Sequence, residues 1–310
     1  MKYAIISDLH GNLPALNAVI DDAKRNFIDE YIFIGDYYCD LAYPNEIVNT
    51  IKTIRGAHVI KGNKETYLDG LLNSNQTEWV YEQFAPLYWN YRELDDENLQ
   101  YLMGLPEYKK IQTANGNHKM YLFHAPSFLF KSTNMDLLSS FKYAEKMIQV
   151  NFSHEEYLYY VQKILSSDDK IAEILDGLDT DIIIFGHTHI QWHAEIANKV
   201  IINPGSCGLP LDCDKRAAYT ILELDGNSVD ILERRIPYNI NDSICYTMES
   251  GLYINAKTWC EIIFDQLNLA KDEITFFFRH VETTAKRKND NSRPYSNTVW
   301  NEAAKSWKSN

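Results

Sequence analysis

The chain opens Met1-Lys2-Tyr3-Ala4-Ile5-Ile6-Ser7-Asp8-Leu9-His10-Gly11-Asn12, an apolar run that stops on a carboxylate, an imidazole and a glycine. A short apolar run bounded by polar residues reads as a buried strand, and Leu13, Leu16, Val19, Ile20 and Ala23 then follow at helical spacing. Gly11 allows the tight turn between them. The unit recurs. Tyr31 to Ile34 runs into Gly35-Asp36 with a helix expected over 45–54, and His58 to Ile60 runs into Gly62-Asn63. Further on, Lys119 to Phe123 ends at His124, and Asp181 to Phe185 ends at Gly186-His187-Thr188-His189. Strands alternating with helices predict an α/β fold with a largely parallel inner sheet, in which sites form outside the carboxyl ends of the strands.

The strand ends therefore bring together Asp8, His10, Asp36, Asn63, His124, His187 and His189. These are oxygen and imidazole donors without a thiolate, a set that suits Mn, Fe, Zn or Ni rather than a cysteine-bound structural zinc. Seven side chains exceed one ordinary site, but with one carboxylate shared they serve two metals with four ligands each. Taken singly the pieces are weak: Asp-x-His after a strand is commonly a helix cap beside a satisfied histidine, and Gly-Asp or Gly-Asn is commonly a turn. Their joint occurrence at five strand ends carries the inference.

The other features bound the reading. A chain of 310 residues, 45% hydrophobic and 24% charged, buries a sizeable core as one large domain or two ordinary ones. The net charge of −13 works against broad attraction to long nucleic acids, while a metal can still supply local positive charge for a small phosphorylated ligand. The five cysteines are odd in number and form no CxxC pair, although Cys207 and Cys213 flank a turn and could pair. No segment approaches a membrane span or a signal-peptide core, so a cytoplasmic protein is expected.

Residues 65–108 are helical and rich in aromatics, among them Trp79, Tyr81, Phe84, Tyr88, Trp89, Tyr91 and Tyr101, and read as a packed layer or cap, with ligand stacking as the alternative. Two or three helices are expected over 135–178, and β-rich segments at 200–202, 217–224 and 229–234. After Pro237 the pattern becomes helical over 250–279, followed by a polar connector and a short helix carrying Trp300, Ala303, Ala304 and Trp307, which needs a surface to lie against. This extension is also the candidate surface for a homo-oligomer.

Asp8-Leu9-His10, Gly35-Asp36, Gly62-Asn63-Lys64-Glu65, His124 and Gly186-His187-Thr188-His189 together make the chain resemble the calcineurin-like metallophosphoesterase superfamily, most closely its small bacterial and archaeal phosphoesterases, including phosphodiesterase-like members. The resemblance runs on through Pro44-Asn45-Glu46, Asn203-Pro204-Gly205-Ser206 and Arg216 to Tyr219. It covers a domain of residues 1–237 with the aromatic-rich helical insert at about 65–108, and leaves 238–310 outside as a helical C-terminal extension. It implies a four-layer α/β/β/α metallophosphoesterase sandwich with a helical C-terminal appendage, and two divalent metal ions, Mn or Fe favoured. Asp8, His10, Asp36 and His189 would hold one metal and Asp36, Asn63, His124 and His187 the other, with Asp36 bridging. The implied reaction is in-line attack on a phosphoester substrate by a metal-bridging hydroxide.

The chain departs from the family at Lys64, where many members carry a histidine thought to protonate the leaving group. A lysine is a poor acid at neutral pH, but its charge can neutralise a phosphate oxygen. Lys64 and Asp36 are therefore the expected catalytic residues, with phosphodiesters and monoesters of good leaving groups favoured. A protein or small-molecule phosphomonoesterase, or a metal-binding scaffold with little activity, is the alternative. His118 competes with His124 for its role, Cys39 near Asp36 reads as a small buried hydrophobe, and His58, His154, His193 and His280 read as structural or exposed.

Overall fold

The first strand carries apolar side chains on both of its faces, and each face meets a different layer. In the structure, a computed structural model describing residues 1–113, 116–131, 133–150 and 153–307, β1 (Lys2–Ile6) turns Tyr3 and Ile5 toward a second sheet and Ala4 and Ile6 toward helices. Burial on both faces is why this strand reads as a continuous apolar run rather than an alternating one.

The remaining strands are β2 (Glu30–Phe33), β3 (His58–Val59), β4 (Tyr108–Gln112), β5 (Lys119–Phe123), β6 (Ile182–Ile184), β7 (Gln191–Ile196), β8 (Lys199–Pro204), β9 (Ala217–Asp225) and β10 (Ser228–Ile236). They form two mixed five-stranded sheets in the orders β10-β9-β1-β2-β3 and β4-β5-β6-β8-β7. In the first, β1, β2 and β3 run parallel, with Ala4 opposite Tyr31 and Phe33 opposite Val59. In the second, β5, β6 and β8 run parallel, with Leu122 opposite Ile184 and Ile184 opposite Ile202. Antiparallel strands close three of the four edges: β10 on β9, β4 on β5 and β7 on β8. Between the sheets lie Ile5, Ile32, Ile34, Ile60, Met120, Leu122, Ile182 and Ile202, all essentially inaccessible to water.

The helices are α1 (Leu13–Arg25), α2 (Pro44–Thr53), α3 (Asn63–Leu72), α4 (Ala85–Glu93), α5 (Asp96–Gly104), α6 (Ser127–Phe130), α7 (Ser140–Val150), α8 (His154–Ser166) and α9 (Asp169–Asp176), followed by α10 (Ile240–Glu249), α11 (Gly251–Asn255), α12 (Lys257–Leu269), α13 (Glu273–Lys288) and α14 (Asn297–Trp307). Leu16, Val19, Ile47, Val48, Ile51 and Leu102 from α1, α2 and α5 cover the outer face of the first sheet. Tyr143, Tyr157, Val161, Leu165, Ile171 and Leu175 from α7, α8 and α9 cover that of the second. The order of layers is therefore α/β/β/α, as expected. Among the described residues no helix is long and apolar enough to cross a membrane.

Besides the single-turn α6, three elements lie where the sequence pattern predicts none. β4 and β7 are edge strands whose alternation is diluted, as in Tyr108-Lys-Lys-Ile-Gln112, where no residue is fully buried. α10 buries Ser243 and Thr247 instead of an apolar stripe, and Ser243 Oγ donates to Asn12 Oδ1 at 2.7 Å, tying the helix to the loop after β1. The helical stretch expected over 250–279 is three helices. Ala256, at φ −136°, separates the first two, left-handed Ala270 closes the second, and the Asp272 carboxylate caps the third by accepting from Thr275 N–H. The apolar face of α14 is covered within the chain: Val299, Trp300 and Ala303 pack on Phe277, Val281 and Ala285 of α13. Cys207 and Cys213 do not pair; all five cysteines are free thiols.

Candidate metal centre

All seven strand-end side chains converge at one edge of the two sheets. Asp8 and His10 follow β1, Asp36 follows β2, Asn63 begins α3, His124 follows β5, and His187 and His189 follow β6. Five of them, Asp8, His10, Asp36, His187 and His189, have φ between 49° and 69°, a left-handed backbone that side-chain-bearing residues seldom adopt. Such conformations cost about 1–3 kcal/mol each and persist where surrounding contacts over-determine them.

Here the contacts are visible. The loops after β1 and β2 hold each other through Asp8 N–H to Gly35 O (3.1 Å), His10 N–H to Asp36 O (2.9 Å) and Gly11 N–H to Tyr37 O (3.0 Å). The buried Glu65 carboxylate accepts from Asp36 N–H (2.9 Å), Tyr37 N–H (2.9 Å) and Gly62 N–H (2.7 Å), and so fixes the next loop against them. Burial and then the nearby Asp36 charge push the Glu65 carboxyl up to about 6. Two glycines permit the close approach: a Cβ on Gly62 would meet Asp36 Oδ1 at 2.2 Å, and one on Gly186 would meet Ser7 Oγ at 2.0 Å.

The donor atoms fall in two overlapping groups, Asp8 with His10 and His189, and Asp8 with Asp36 and His124, each within 4.8 Å. Asp8 Oδ1 is 3.3 Å from His189 Nε2 and 4.0 Å from His124 Nε2. Asp36 divides its oxygens, with Oδ2 3.8 Å from His10 Nε2 and Oδ1 3.4 Å from His124 Nε2. Asn63 Oδ1 lies 2.9 Å from His124 Nε2 and 3.0 Å from His187 Nδ1. His118 does not compete with His124; its Nε2 faces Gly226 O at 3.1 Å.

A family model for the calcineurin-like phosphoesterase superfamily domain matches residues 1–227. The chain belongs to this superfamily. An uncharacterized protein of Methanocaldococcus jannaschii is 29% identical over 254 residues, covering 76% of this chain and 88% of its own. The crystal structure of a metallophosphoesterase from Sphaerobacter thermophilus superposes with a TM-score of 0.58 at 23% identity, covering 87% of this chain and 100% of its own. A hypothetical protein from Pyrococcus horikoshii OT3 does so at 0.58 and 18%, covering 84% and 97%. These two structures share the phosphoesterase fold with this chain.

Against the superfamily pattern, the donor set fits divalent cations. His10 Nδ1 lies 2.6 Å from Asp40 Oδ2, His189 Nδ1 2.6 Å from Leu209 O and His124 Nδ1 2.7 Å from Ile34 O. An acceptor at each outer nitrogen places the proton there and turns the inner Nε2 lone pair to the centre, the arrangement of a metal-ligating imidazole. His10 Nε2 and His189 Nε2 are 3.1 Å apart, so two neutral rings with their protons at Nδ1 would meet as facing acceptors, a pairing that a shared proton or a cation relieves.

The charges point the same way. Burial opposes ionisation of His10 and His124, yet the bond to Asp40 raises His10 to about 9 and the Asp36 charge raises His124 to about 10. Burial likewise works against the Asp8 and Asp36 carboxylates, but the facing imidazoles, His189 and His124 first, hold both well below the usual range. His187 is lowered to about 4 by burial and the neighbouring His124. At His10 and His124 the carboxylates favour positive charge, and a divalent cation meets the same field, its binding releasing those protons.

Asp40 is the residue that strand-end reasoning overlooks. Besides His10 it binds Lys64, whose Nζ is 3.3 Å from Oδ2, and accepts at Oδ1 from Trp259 Nε1–H at 2.8 Å. Burial alone would raise its carboxyl, but the Lys64 charge holds it below the usual range. Its signal was a second aspartate four residues after Asp36, in a turn that reads as ordinary loop. Trp259 belongs to α12, so the C-terminal extension touches the centre. A cavity of about 190 Å³ lies over the cluster, with His10, Asp36, Asn63 and Lys64 on one side and Trp259, Ile263, Gln266 and Asp272 on the other. Cys39 is buried, with its thiol pushed up by burial, and is the small hydrophobe expected.

Proposed function

We propose that the chain is a dinuclear metal-dependent phosphoesterase that hydrolyses phosphodiesters and monoesters of good leaving groups. The convergence of Asp8, His10, Asp36, His124 and His189, with three imidazoles held from behind by acceptors, carries this reading. Asp8, His10, Asp36 and His189 would hold one cation and Asp36, Asn63, His124 and His187 the second. Asp36 suits the bridging position because its two oxygens face the two halves of the cluster. Two such cations, when bound, supply an activated water near neutral pH and neutralise charge on the phosphoryl oxygens.

The ligand chemistry, oxygens mixed with imidazoles, suits Mn²⁺ or Fe²⁺. Lys64 keeps its proton. Burial opposes its charge, but Asp40 and then the neighbouring acidic groups raise it above the ordinary lysine value. The ammonium therefore neutralises a phosphoryl oxygen rather than protonating a departing alkoxide, which favours esters whose leaving group needs no proton. Five unpaired cysteines suit a reducing, cytoplasmic compartment.

The test is Mn²⁺ titration of the full chain, followed by thermal stabilisation and hydrolysis of bis(p-nitrophenyl) phosphate. Saturable stabilisation with turnover is expected, and Asp36→Asn should lower turnover by about 100-fold or more. Stabilisation without turnover on any ester would favour a metal-binding scaffold, and no stabilisation would overturn the metal centre itself.

A further inference from the structure

A second cavity of about 1000 Å³ adjoins the metal centre, and Lys64 and Trp259 line both. Its walls come mainly from two regions other than the strand ends: α3 with the aromatic segment that follows it, and the C-terminal helices. Tyr67, Trp79, Phe84 and Tyr88 face it from the first, Trp259 and Phe278 from the second. Trp79 stacks on Tyr88 with centroids 5.1 Å apart and planes 8° from parallel, and Phe84 meets Tyr88 edge-on at 6.2 Å. Rings serving only as core would be covered, yet Tyr67 is 48% exposed, Val80 58% and Phe84 37%. Few polar groups interrupt the wall, among them Thr77, Glu78 and Gln83. Large size, aromatic walls and sparse polar groups are the features of a small-molecule site.

The two ends of this space differ in charge. At one end stands the Lys64 ammonium, where the space adjoins the cavity over the carboxylate and imidazole cluster; at the other stand rings and aliphatic side chains. A ligand matching both carries an anion at one end and a flat uncharged group at the other. Ring systems gain from offset and edge contacts with aromatic walls beyond the area they bury, which a flexible alkyl chain does not.

We propose that this cavity seats the alcohol side of the phosphoester, and that this side is a planar ring system of nucleoside size. The proposal rests on the phosphoesterase reading for the identity of the anionic end. The polar groups in the wall then meet the edge of the ring, and Tyr67, whose hydroxyl is 3.5 Å from Asn63 Nδ2, marks the boundary with the metal centre.

The proposal is tested by calorimetric titration of the Mn²⁺-loaded full chain with adenosine 5′-monophosphate, ribose 5-phosphate and hexyl phosphate, alkyl monoesters whose leaving groups need a proton that Lys64 does not give. Adenosine monophosphate should bind at least about tenfold more tightly than ribose phosphate, the range in which a stacked base contributes. It should also exceed hexyl phosphate. Phe84→Ala and Val80→Asp alter exposed side chains, and in both the preference for adenosine monophosphate over ribose phosphate should shrink about fivefold, with melting temperature monitoring the fold. Equal affinities for the first two ligands, a hexyl phosphate that binds as tightly, absence of adenosine monophosphate binding, or a preference unchanged in both variants would each overturn the proposal. Because no turnover is needed, a chain that hydrolyses no ester would defeat the phosphoesterase reading and leave this measurement to decide the cavity by itself.

Discussion

The strand-end cluster and the C-terminal wall meet across one small cavity but are built by opposite means. In the cluster, side chains reach the centre from left-handed backbone at Asp8, His10, Asp36, His187 and His189, each fixed by buried hydrogen bonds between loops. In the wall, ordinary helices present Trp259, Ile263 and Gln266 from one face of α12, and the left-handed residues Ala270 and Asn289 only close helices. Behind it Phe277, Trp300 and Trp307 pack edge to face. Strained loops can hold donor atoms to a fraction of an ångström, which metal chemistry demands, whereas helix packing sets the shape and polarity of a cavity. On the proposed reading, the first region would carry the reaction and the second the choice of ester.

Asp40 is where the division is weakest, because its carboxylate joins His10 and Lys64 of the cluster to Trp259 of the wall. Asp40→Asn keeps the shape and an acceptor for His10 but removes the charge. Loss of a partner behind a metal-ligating imidazole typically costs 10–100-fold, so Mn²⁺ affinity measured by calorimetry should fall by about that factor. An unchanged affinity would show that His10 is oriented by packing alone.

Lys64 gives the second test, of smaller expected effect. Lys64→His introduces a group able to donate a proton near neutral pH, and the ratio of alkyl monoester to diester hydrolysis should rise about tenfold. The measurement is kcat/KM on both esters with the Mn²⁺-loaded chain. A ratio that stays the same would mean that the leaving group is governed by the wall and not by this side chain.

The two regions were also unequally legible. Asp8, His10 and Asp36 stand at the ends of short apolar runs bounded by polar residues, which read as buried strands, and parallel strands bring their carboxyl ends to one edge. The ligand loops were thus readable from order and spacing. The wall was not, because Trp259 approaches Asp40 from 219 residues away in sequence, and nothing local in a helix says which layer it will cover. α10 escaped for a related reason: its buried face carries the polar residues Ser243, which donates to Asn12, and Thr247 instead of an apolar stripe. Lys64 was legible as a departure from the superfamily pattern, but its pairing with Asp40, which decides that it keeps its proton, required the fold.

Trp259→Phe should have the smallest effect and separates the two regions most finely. It removes the indole donor to Asp40 Oδ1 and retains an aromatic ring between the metal cavity and the larger aromatic one. Asp40 Oδ2 still faces His10 Nδ1 at 2.6 Å and Lys64 Nζ at 3.3 Å, so the carboxylate stays compensated and His10 stays oriented. One neutral hydrogen bond is worth about 1 kcal/mol, or roughly fivefold at most in any equilibrium coupled to it. If the cluster holds metal independently of the wall, Mn²⁺ affinity should change by less than about threefold, while KM for a diester rises by roughly twofold to fivefold as Trp259 loses its fixed orientation. A fall in metal affinity as large as that of Asp40→Asn would break the division, because the wall would then be orienting the metal ligands through Asp40 rather than only shaping the space above them.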